Sequence, residues 1–487
     1  MSRGEAPAVG EEPGRADGLR TRALMPVLVM LTMVPAIVSS LGVPLLPVIA
    51  EDYRVSLNDA QWTLTAPLLS GAIATPIVGR LGGNHHRRRV LLVVVGLVMV
   101  GSLLSALPFG FAAFLTGRSL QGLGLSVAPI AMAVARDRIR PERLASSVAT
   151  LAVATVVGAG LGFPISALVA EFGGVAASYW CGFGVALVVL VATWAVIPRE
   201  PVQHALRVDW LGAVWLSIAS SGLMLCISQG NSWGVTSPVF LASLAIAAVA
   251  AVLWVRRSLA VTSPLVDLRL AVRKGVLGAN VTVLLTGSNT YSIITIAMIV
   301  AQGPQAEGGL GHNVFVAGML LLPYSFGSVV GSRINLWLTR YMRPDFLLPI
   351  GCGLFIVATT AIALFHSTTW GLFVIMLLAG LGSGSTFAVT PSIIMSWVPP
   401  HETSSAISVN HLLRTIGFAA GSALAGALLQ ASVPVGAGFP TQSGIVTAAL
   451  TSTAVAVVAG AIALVLALRN PPPRAVGTPS PEDLLLD

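Results

Sequence analysis

Charge is scarce in this chain. Asp, Glu, Lys and Arg make up 9% of its 487 residues, where a soluble domain carries about 25%. With 55% hydrophobic residues and a mean hydropathy of +0.87, that scarcity excludes a soluble globular protein and points to an all-α integral membrane protein. Lysine is nearly missing: Lys274 stands alone, and arginine supplies the rest of the positive charge. The pI near 10.2 invites a nucleic-acid reading. The arginines, however, fall in short tracts between apolar runs, as topology signals do, so no nucleic-acid partner is expected. Cys181, Cys226 and Cys352 lie in separate apolar runs with no CxxC or His-rich spacing, which favours small buried hydrophobes over redox or metal chemistry. No Gly-x-x-x-x-Gly-Lys-Ser/Thr phosphate loop and no catalytic constellation occurs. His85 and His86 sit beside a basic loop and read as surface residues. No enzyme activity, cofactor or metal is expected.

Residues 1–22 are polar and Gly/Pro-rich, without the apolar core of a cleavable signal peptide. They predict a disordered cytoplasmic N-terminus, and the first apolar run an uncleaved signal anchor. Residues 470–487, opening on Asn470 and Pro471 to Pro473, predict a short cytoplasmic tail. Crossing a bilayer core takes about 20 mostly apolar residues. Fourteen such runs are present: 23–49, 63–82, 90–108, 111–134, 146–169, 177–197, 209–229, 238–256, 276–302, 313–337, 346–365, 369–396, 404–431 and 443–468.

Charge tests that count. With the N-terminus inside, the cytoplasmic connections hold Arg80, Arg87 to Arg89, Arg136, Arg138, Arg140, Arg143, Arg199, Arg207, Arg256, Arg257, Arg269, Arg273, Lys274, Arg340 and Arg343. The outside connections hold Arg54 alone. A missed helix would invert the alternation from that point on, and it never inverts. Trp62, Trp180, Trp194, Trp210, Trp254, Trp370 and Trp397 fall near run ends, where interfacial anchors belong. The expected location is the cytoplasmic membrane, with both termini inside.

The chain repeats itself. Span four carries Gly122-Leu123-Gly124 and then Ala128-Pro129-Ile130; span twelve carries Gly380-Leu381-Gly382 and then Thr390-Pro391-Ser392. Span five has a ridge of small residues at Ala154, Gly158, Gly162 and Ser166, and span thirteen one at Gly417, Gly421 and Ala425. Small residues at this spacing let helix backbones approach closely in lipid. The matches relate helix n to helix n+8, which makes 23–197 and 276–468 two six-helix lobes around an inserted pair at 209–256. Internal repeats meeting at a midplane site are a transporter plan.

Several motifs lie on that frame. They are Gly79-Arg80-Leu81-Gly82-Gly83-Asn84-His85-His86-Arg87-Arg88-Arg89 after span two, Arg118-Ser119-Leu120-Gln121-Gly122 in span four, and Gly158-Ala159-Gly160-Leu161-Gly162-Phe163-Pro164 in span five. Asp209-Trp210-Leu211-Gly212 opens span seven, and Pro264-Leu265-Val266-Asp267-Leu268 follows span eight. In this order the chain, from about residue 23 to 468, resembles the fourteen-helix drug:proton antiporter branch of the major facilitator superfamily. The resemblance implies two lobes, a central substrate cavity, and gating at Gly79, Arg80, Arg87 and Arg88. There the arginines pin neighbouring helix ends and acids on the cytoplasmic side; a plain topology role serves Arg87 to Arg89 equally. Gly158, Gly162 and Pro164 belong to the antiporter motif, and Pro164, unable to donate to the Gly160 carbonyl, predicts a bend. Two departures stand out: Gly83 replaces the loop aspartate, and Val38 occupies the place of the branch's span-one aspartate. No other span supplies an acid near its middle; Glu51, Asp52 and Glu171 fall at outer ends and Asp209 at an inner one.

Two cations, Arg118 and Arg414, lie deep inside the spans, away from their ends. Placing one in hydrocarbon costs roughly 2.5–3.5 kcal/mol on insertion scales, so each needs a polar surrounding. Arg118 lies roughly 12 Å into span four at 1.5 Å per residue, with Gln121 one turn on; the repeat places Met376 opposite it. A cavity element that senses substrate or proton is expected, against an arginine that pins helix ends. Arg414 shares a flank with Asn410 and His411. These three predict a second cavity wall, against structural capping of a neighbouring helix; His411 is a lesser candidate to carry a proton in place of an acid, since Arg414 beside it disfavours the charged form. Thr286 to Ser292, including Asn289 and Tyr291, form a polar belt near the middle of span nine that lines water or substrate, or else glues helices. Ser39, Ser40 and Tyr324 are weaker lining candidates.

These features predict a monomeric secondary exporter of drug-like or amphipathic molecules that works by alternating access, with protons and a small-molecule substrate as partners. Two rivals accompany it. One is an exporter of anionic organic metabolites held by Arg118 or Arg414; the other is a membrane sensor or assembly partner that transports nothing.

Overall fold

The computed structural model describes residues 15–41, 45–55, 57–82, 87–198, 209–234, 236–261, 264, 268–271, 274–399, 402–434 and 439–469. Their regular structure is helical throughout. In chain order the helices are α1 (Arg15–Ser40), α2 (Leu46–Asp52), α3 (Leu57–Gly82), α4 (Arg87–Ala106), α5 (Phe111–Gly122), α6 (Val127–Arg138) and α7 (Pro141–Val196). Then come α8 (Trp210–Trp233), α9 (Pro238–Ala260), α10 (Leu268–Ala271), α11 (Lys274–Gln302), α12 (Val314–Met319), α13 (Leu321–Leu338), α14 (Leu347–Phe365), α15 (Thr369–Trp397), α16 (Thr403–Ala431) and α17 (Gln442–Arg469).

Among the described residues, eleven helical segments are long and apolar enough to cross a membrane, judged by length and composition. The other three predicted runs are interrupted or diluted. Run 23–49 is divided between α1 and α2, with its apolar part at Ala23–Val38. Run 63–82 is the far part of α3, which carries Pro67 and Pro76 in its interior. Run 111–134 is α5, a 3-10 turn at Leu123–Ser126, and α6. Pro129 has no N–H to offer the Leu125 carbonyl, so the regular ladder fails just ahead of it and a tighter turn takes its place.

Three expectations about helix ends need correcting or setting aside. Residues 15–22, expected to be disordered, form the start of α1; residues 1–14 and 470–487 lie outside the described residues. Spans five and six follow one another directly as the helical segments Pro141–Gly162 and Phe172–Val196. They meet at a kink at Gly174, at φ 69° and ψ −172°, a conformation open to glycine. The side chain of Pro164, like those of Gly83, His85, His86, Ser39 and Ser40, is outside the described residues.

The duplicated glycines do matching work. A Cβ at Gly122 would collide with the Pro67 carbonyl oxygen of α3, and a Cβ at Gly380 with the Tyr324 carbonyl oxygen of α13. The helices so paired are spans two and four in one half, ten and twelve in the other. Gly158 of α7 likewise abuts the Met33 carbonyl of α1, while Gly417 and Gly421 of α16 abut the Leu284 and Ser288 carbonyls of α11. These are spans one with five, and nine with thirteen. Close main-chain approach replaces side-chain interdigitation at the same four places.

The halves meet along two seams. On one, α7 packs against α13 and α15, with Ala149 and Val153 against Ala388. On the other, α3 and α6 pack against α16, and Leu412 joins Ala72 of α3 with Ala213, Leu216 and Met224 of α8. The α8–α9 pair covers this second seam from outside; Asp209 caps the Gly212 N–H at 3.0 Å and accepts from Arg257 Nε at 2.7 Å. The membrane-length window of α9 is only 11% buried, the exposure of a helix facing lipid.

The α11–α16 contact is testable. Gly421→Ala should lower the unfolding temperature of the purified protein in detergent, since overpacking costs about 1–3 kcal/mol. Gly426→Ala, with nothing within 4 Å of its Cβ position, should not. Equal unfolding temperatures for the two variants would refute close main-chain packing.

Candidate functional site

Arg118 is completely buried. Its Nε donates to the Thr63 carbonyl of α3 at 2.9 Å, and its Nη1 to the Val38 carbonyl of α1 at 3.1 Å and to Gln121 Oε1 at 2.6 Å. Gln121 in turn donates to Ser102 Oγ of α4 at 3.3 Å. The Tyr179 ring of α7 lies under the guanidinium at 5.7 Å, within cation–π range. Arg118 therefore ties the end of α1, just before the chain breaks toward α2, to α3 and α5. In this conformation main-chain and amide oxygens hold the guanidinium, the arrangement of an arginine that pins helix ends. The reason is physical: α1 ends near it and α3 turns a carbonyl to it, so main-chain oxygens supply the polar surrounding that the cation needs.

Arg414 has a different setting. It is 6% exposed, with its Nε buried and without a hydrogen-bond partner. Nη2 lies 3.1 and 3.2 Å from the two ring nitrogens of His411. Phe387 of α15 and Phe418 of α16 present their rings to the guanidinium at 5.1 and 5.8 Å. Tyr291 of α11 stacks on Phe418 at 4.5 Å. Tyr324 of α13, close by, donates to Ser383 Oγ at 2.7 Å. Among the described residues no Asp or Glu forms an ion pair with Arg414. The other expected wall residues turn elsewhere. Asn410 donates to Asn280 Oδ1 at 3.0 Å, which joins α16 to α11. Asn289 donates to the Leu285 carbonyl of its own helix at 3.1 Å, leaving its buried Oδ1 without a partner.

A third cluster lies at the inner ends of the helices. Arg80, 5% exposed, donates through Nη1 to both carboxylate oxygens of Glu402 at 3.0 and 3.1 Å. Arg136 of α6 bonds Thr403 Oγ1 and donates to the Met395 and Val398 carbonyls at 3.2 Å each. Burial pulls the Arg136 guanidinium below the ordinary arginine value, and Asp137 beside it opposes the shift. Arg87 pairs with Asp137 and donates to the Gly82 carbonyl at 2.9 Å, while Arg88 reaches the Trp194 carbonyl at 2.5 Å. Arg80 and Arg136 thus link the first half of the chain to the α15–α16 corner. Arg87 and Arg88 act within the first half. Gly79, like Gly82, is buried at the end of α3.

The sequence comparison closes the case on family. A model of the Major Facilitator Superfamily matches residues 28–378 and 279–485. The chain belongs to the major facilitator superfamily. Members of this superfamily are transporters and not enzymes, and the chain is a multi-pass membrane protein of that kind. Multidrug resistance protein Stp of Mycobacterium tuberculosis is 25% identical over 392 residues, covering 79% of this chain and 72% of Stp. A triacylglyceride transporter of Mycolicibacterium smegmatis is 28% identical over 407 residues, covering 78% and 70%. The crystal structure of the human organic anion transporter MFSD10 has the same fold, with a TM-score of 0.62 at 16% identity over 91% of this chain and 99% of that one.

Within the superfamily frame, several partners escaped sequence reasoning. Phe387, Phe418, Tyr179, Glu402, Thr403 and Arg136 were not singled out. Glu402 carried a usable signal, since it stands at the start of span thirteen among basic inner connections. Phe387 and Phe418 carried none, because aromatic residues in an apolar helix are ordinary core.

Arg118→Ala should insert but lose stability. Two buried carbonyls and Gln121 would be orphaned, at about 1–3 kcal/mol each, so the unfolding temperature in detergent should fall by several degrees. An unchanged unfolding temperature would show that the arginine is not a clamp.

Proposed function

We propose that the chain exports drug-like or amphipathic small molecules across the cytoplasmic membrane by alternating access. The lobes are 23–197 and 276–468, the inserted pair is 209–256, and fourteen spans leave both termini inside. One monomer is the working unit. Proton exchange supplies the energy. The names of the relatives, a multidrug resistance protein and a triacylglyceride transporter, fit cargo with large apolar parts.

The observation that carries this reading is the inner link. Two halves with duplicated packing are joined at one end by Arg80 with Glu402, and by Arg136 with the α15–α16 corner. An ion pair with 5% and 16% exposure is strong while intact, yet its charges can return to water when the halves part. Apolar packing at the seams has no such discrete release. Gly83 lacks the side chain of the superfamily's loop aspartate, and Arg80 with Glu402 supplies an acid–base link across the same end.

Two experiments test the reading. In reconstituted vesicles, flux of ethidium and a panel of amphipathic compounds should accelerate under an imposed pH gradient. Flux that ignores the gradient would remove proton coupling, and no flux for any compound would remove transport. In the same assay, Arg80→Glu and Glu402→Arg should each slow flux by at least about tenfold, about 1.4 kcal/mol, which lies within the about 3–5 kcal/mol that breaking a buried pair costs. The double exchange should recover most of the rate. A double exchange no faster than either single variant would refute the link.

A further inference from the structure

Arg414 is buried and cationic, and its guanidinium is incompletely satisfied. Burying an ion is costly unless it is paired and hydrogen-bonded. Two aromatic faces and a histidine return part of that cost through the ring quadrupoles, but none of them carries negative charge. Nε has no partner at all. Arg118 makes the contrast: its guanidinium is met by two carbonyls and an amide oxygen, all within 3.1 Å. One half of the chain thus completes its arginine with protein atoms. The other leaves one buried nitrogen of its arginine without a hydrogen bond among the described residues.

The surroundings of that nitrogen are aromatic. Phe387 and Phe418 flank the cation and lie 6.1 Å apart, and Tyr291 extends the stack from Phe418 at an interplanar angle of 27°. The chemistry that fits is a planar group to lie against the rings with an acidic oxygen to meet Nε. A guanidinium holds such an oxygen through a charge-assisted hydrogen bond. A cationic ligand would meet like charge.

We infer that the Arg414–Phe387–Phe418–Tyr291 cluster is a binding subsite for an aromatic organic anion, whose acidic oxygen completes the Arg414 Nε. This rests on the transporter reading and names a substrate class for it. The cluster lies between α11, α15 and α16, so the anion enters when the halves part and is enclosed when they close. His411, already against Nη2, holds the guanidinium's orientation while the subsite is empty.

Binding can be measured apart from flux. The full chain in lipid nanodiscs would be titrated calorimetrically with 2-naphthoate, with its neutral counterpart 2-naphthylmethanol, with 2-naphthylmethylammonium, and with cyclohexanecarboxylate. Wild type should bind naphthoate at least about tenfold tighter than the alcohol, about 1.4 kcal/mol, and the ammonium compound weakest. Arg414→Gln should abolish the preference for naphthoate over the alcohol. Phe418→Leu should weaken naphthoate more than cyclohexanecarboxylate. Equal wild-type affinity for naphthoate and the alcohol would overturn the proposal without recourse to any variant. So would naphthoate affinity unchanged in folded Arg414→Gln. Ethidium flux with no naphthoate preference removes the anion subsite and leaves transport standing. A naphthoate preference with no flux of any compound does the reverse.

Discussion

A buried cation must be met by something, and in this chain that requirement arranges the first half. Arg118 sits where helices α1, α3, α4 and α7 converge: α1 and α3 each give it a carbonyl, α7 a ring, and α4 holds its Gln121 partner through Ser102. The α1 helix ends just beyond Val38, so the Val38 carbonyl belongs to a terminus whose acceptors are short of donors. Arginine is suited to such a place because its fork serves several acceptors in one plane. The break between α1 and α2, the position of the α3 backbone and the burial of Gln121 are all parts of one solution.

The second half repeats the frame and changes its contents. Gly122 and Gly380 bring the same pairs of helices into contact, as do Gly158 with Gly417 and Gly421. Yet the place of Arg118 is taken by Met376, fully buried in an apolar cluster. The charge of the second half has moved to α16, among rings and hydroxyls. Close glycine contacts fix how helices lie without dictating what lies between them. That freedom lets a duplicated frame fasten one arginine with oxygens and surround the other with rings.

Features encoded by local spacing were legible in the sequence. The small-residue ridges, the helical class, the basic inner loops and the depth of Arg118 all follow from periodicity and composition. The partners of those residues were not. Arg80 meets Glu402 across 322 positions, and nothing along the chain ties the two together. The partners of Arg118 were hidden more thoroughly, because every residue has a carbonyl and only the fold decides which one is turned inward. Pro129 was plain to see, but the 3-10 turn ahead of it depends on how α5 and α6 settle against α3.

The Val38 carbonyl has a further consequence. An amide oxygen takes up no proton in the range where cells live, whereas a carboxylate in the same spot would titrate. The joint between α1 and α5 therefore has the same strength on both sides of the membrane, whatever the acidity there. Any dependence on acidity has to enter this chain through other groups.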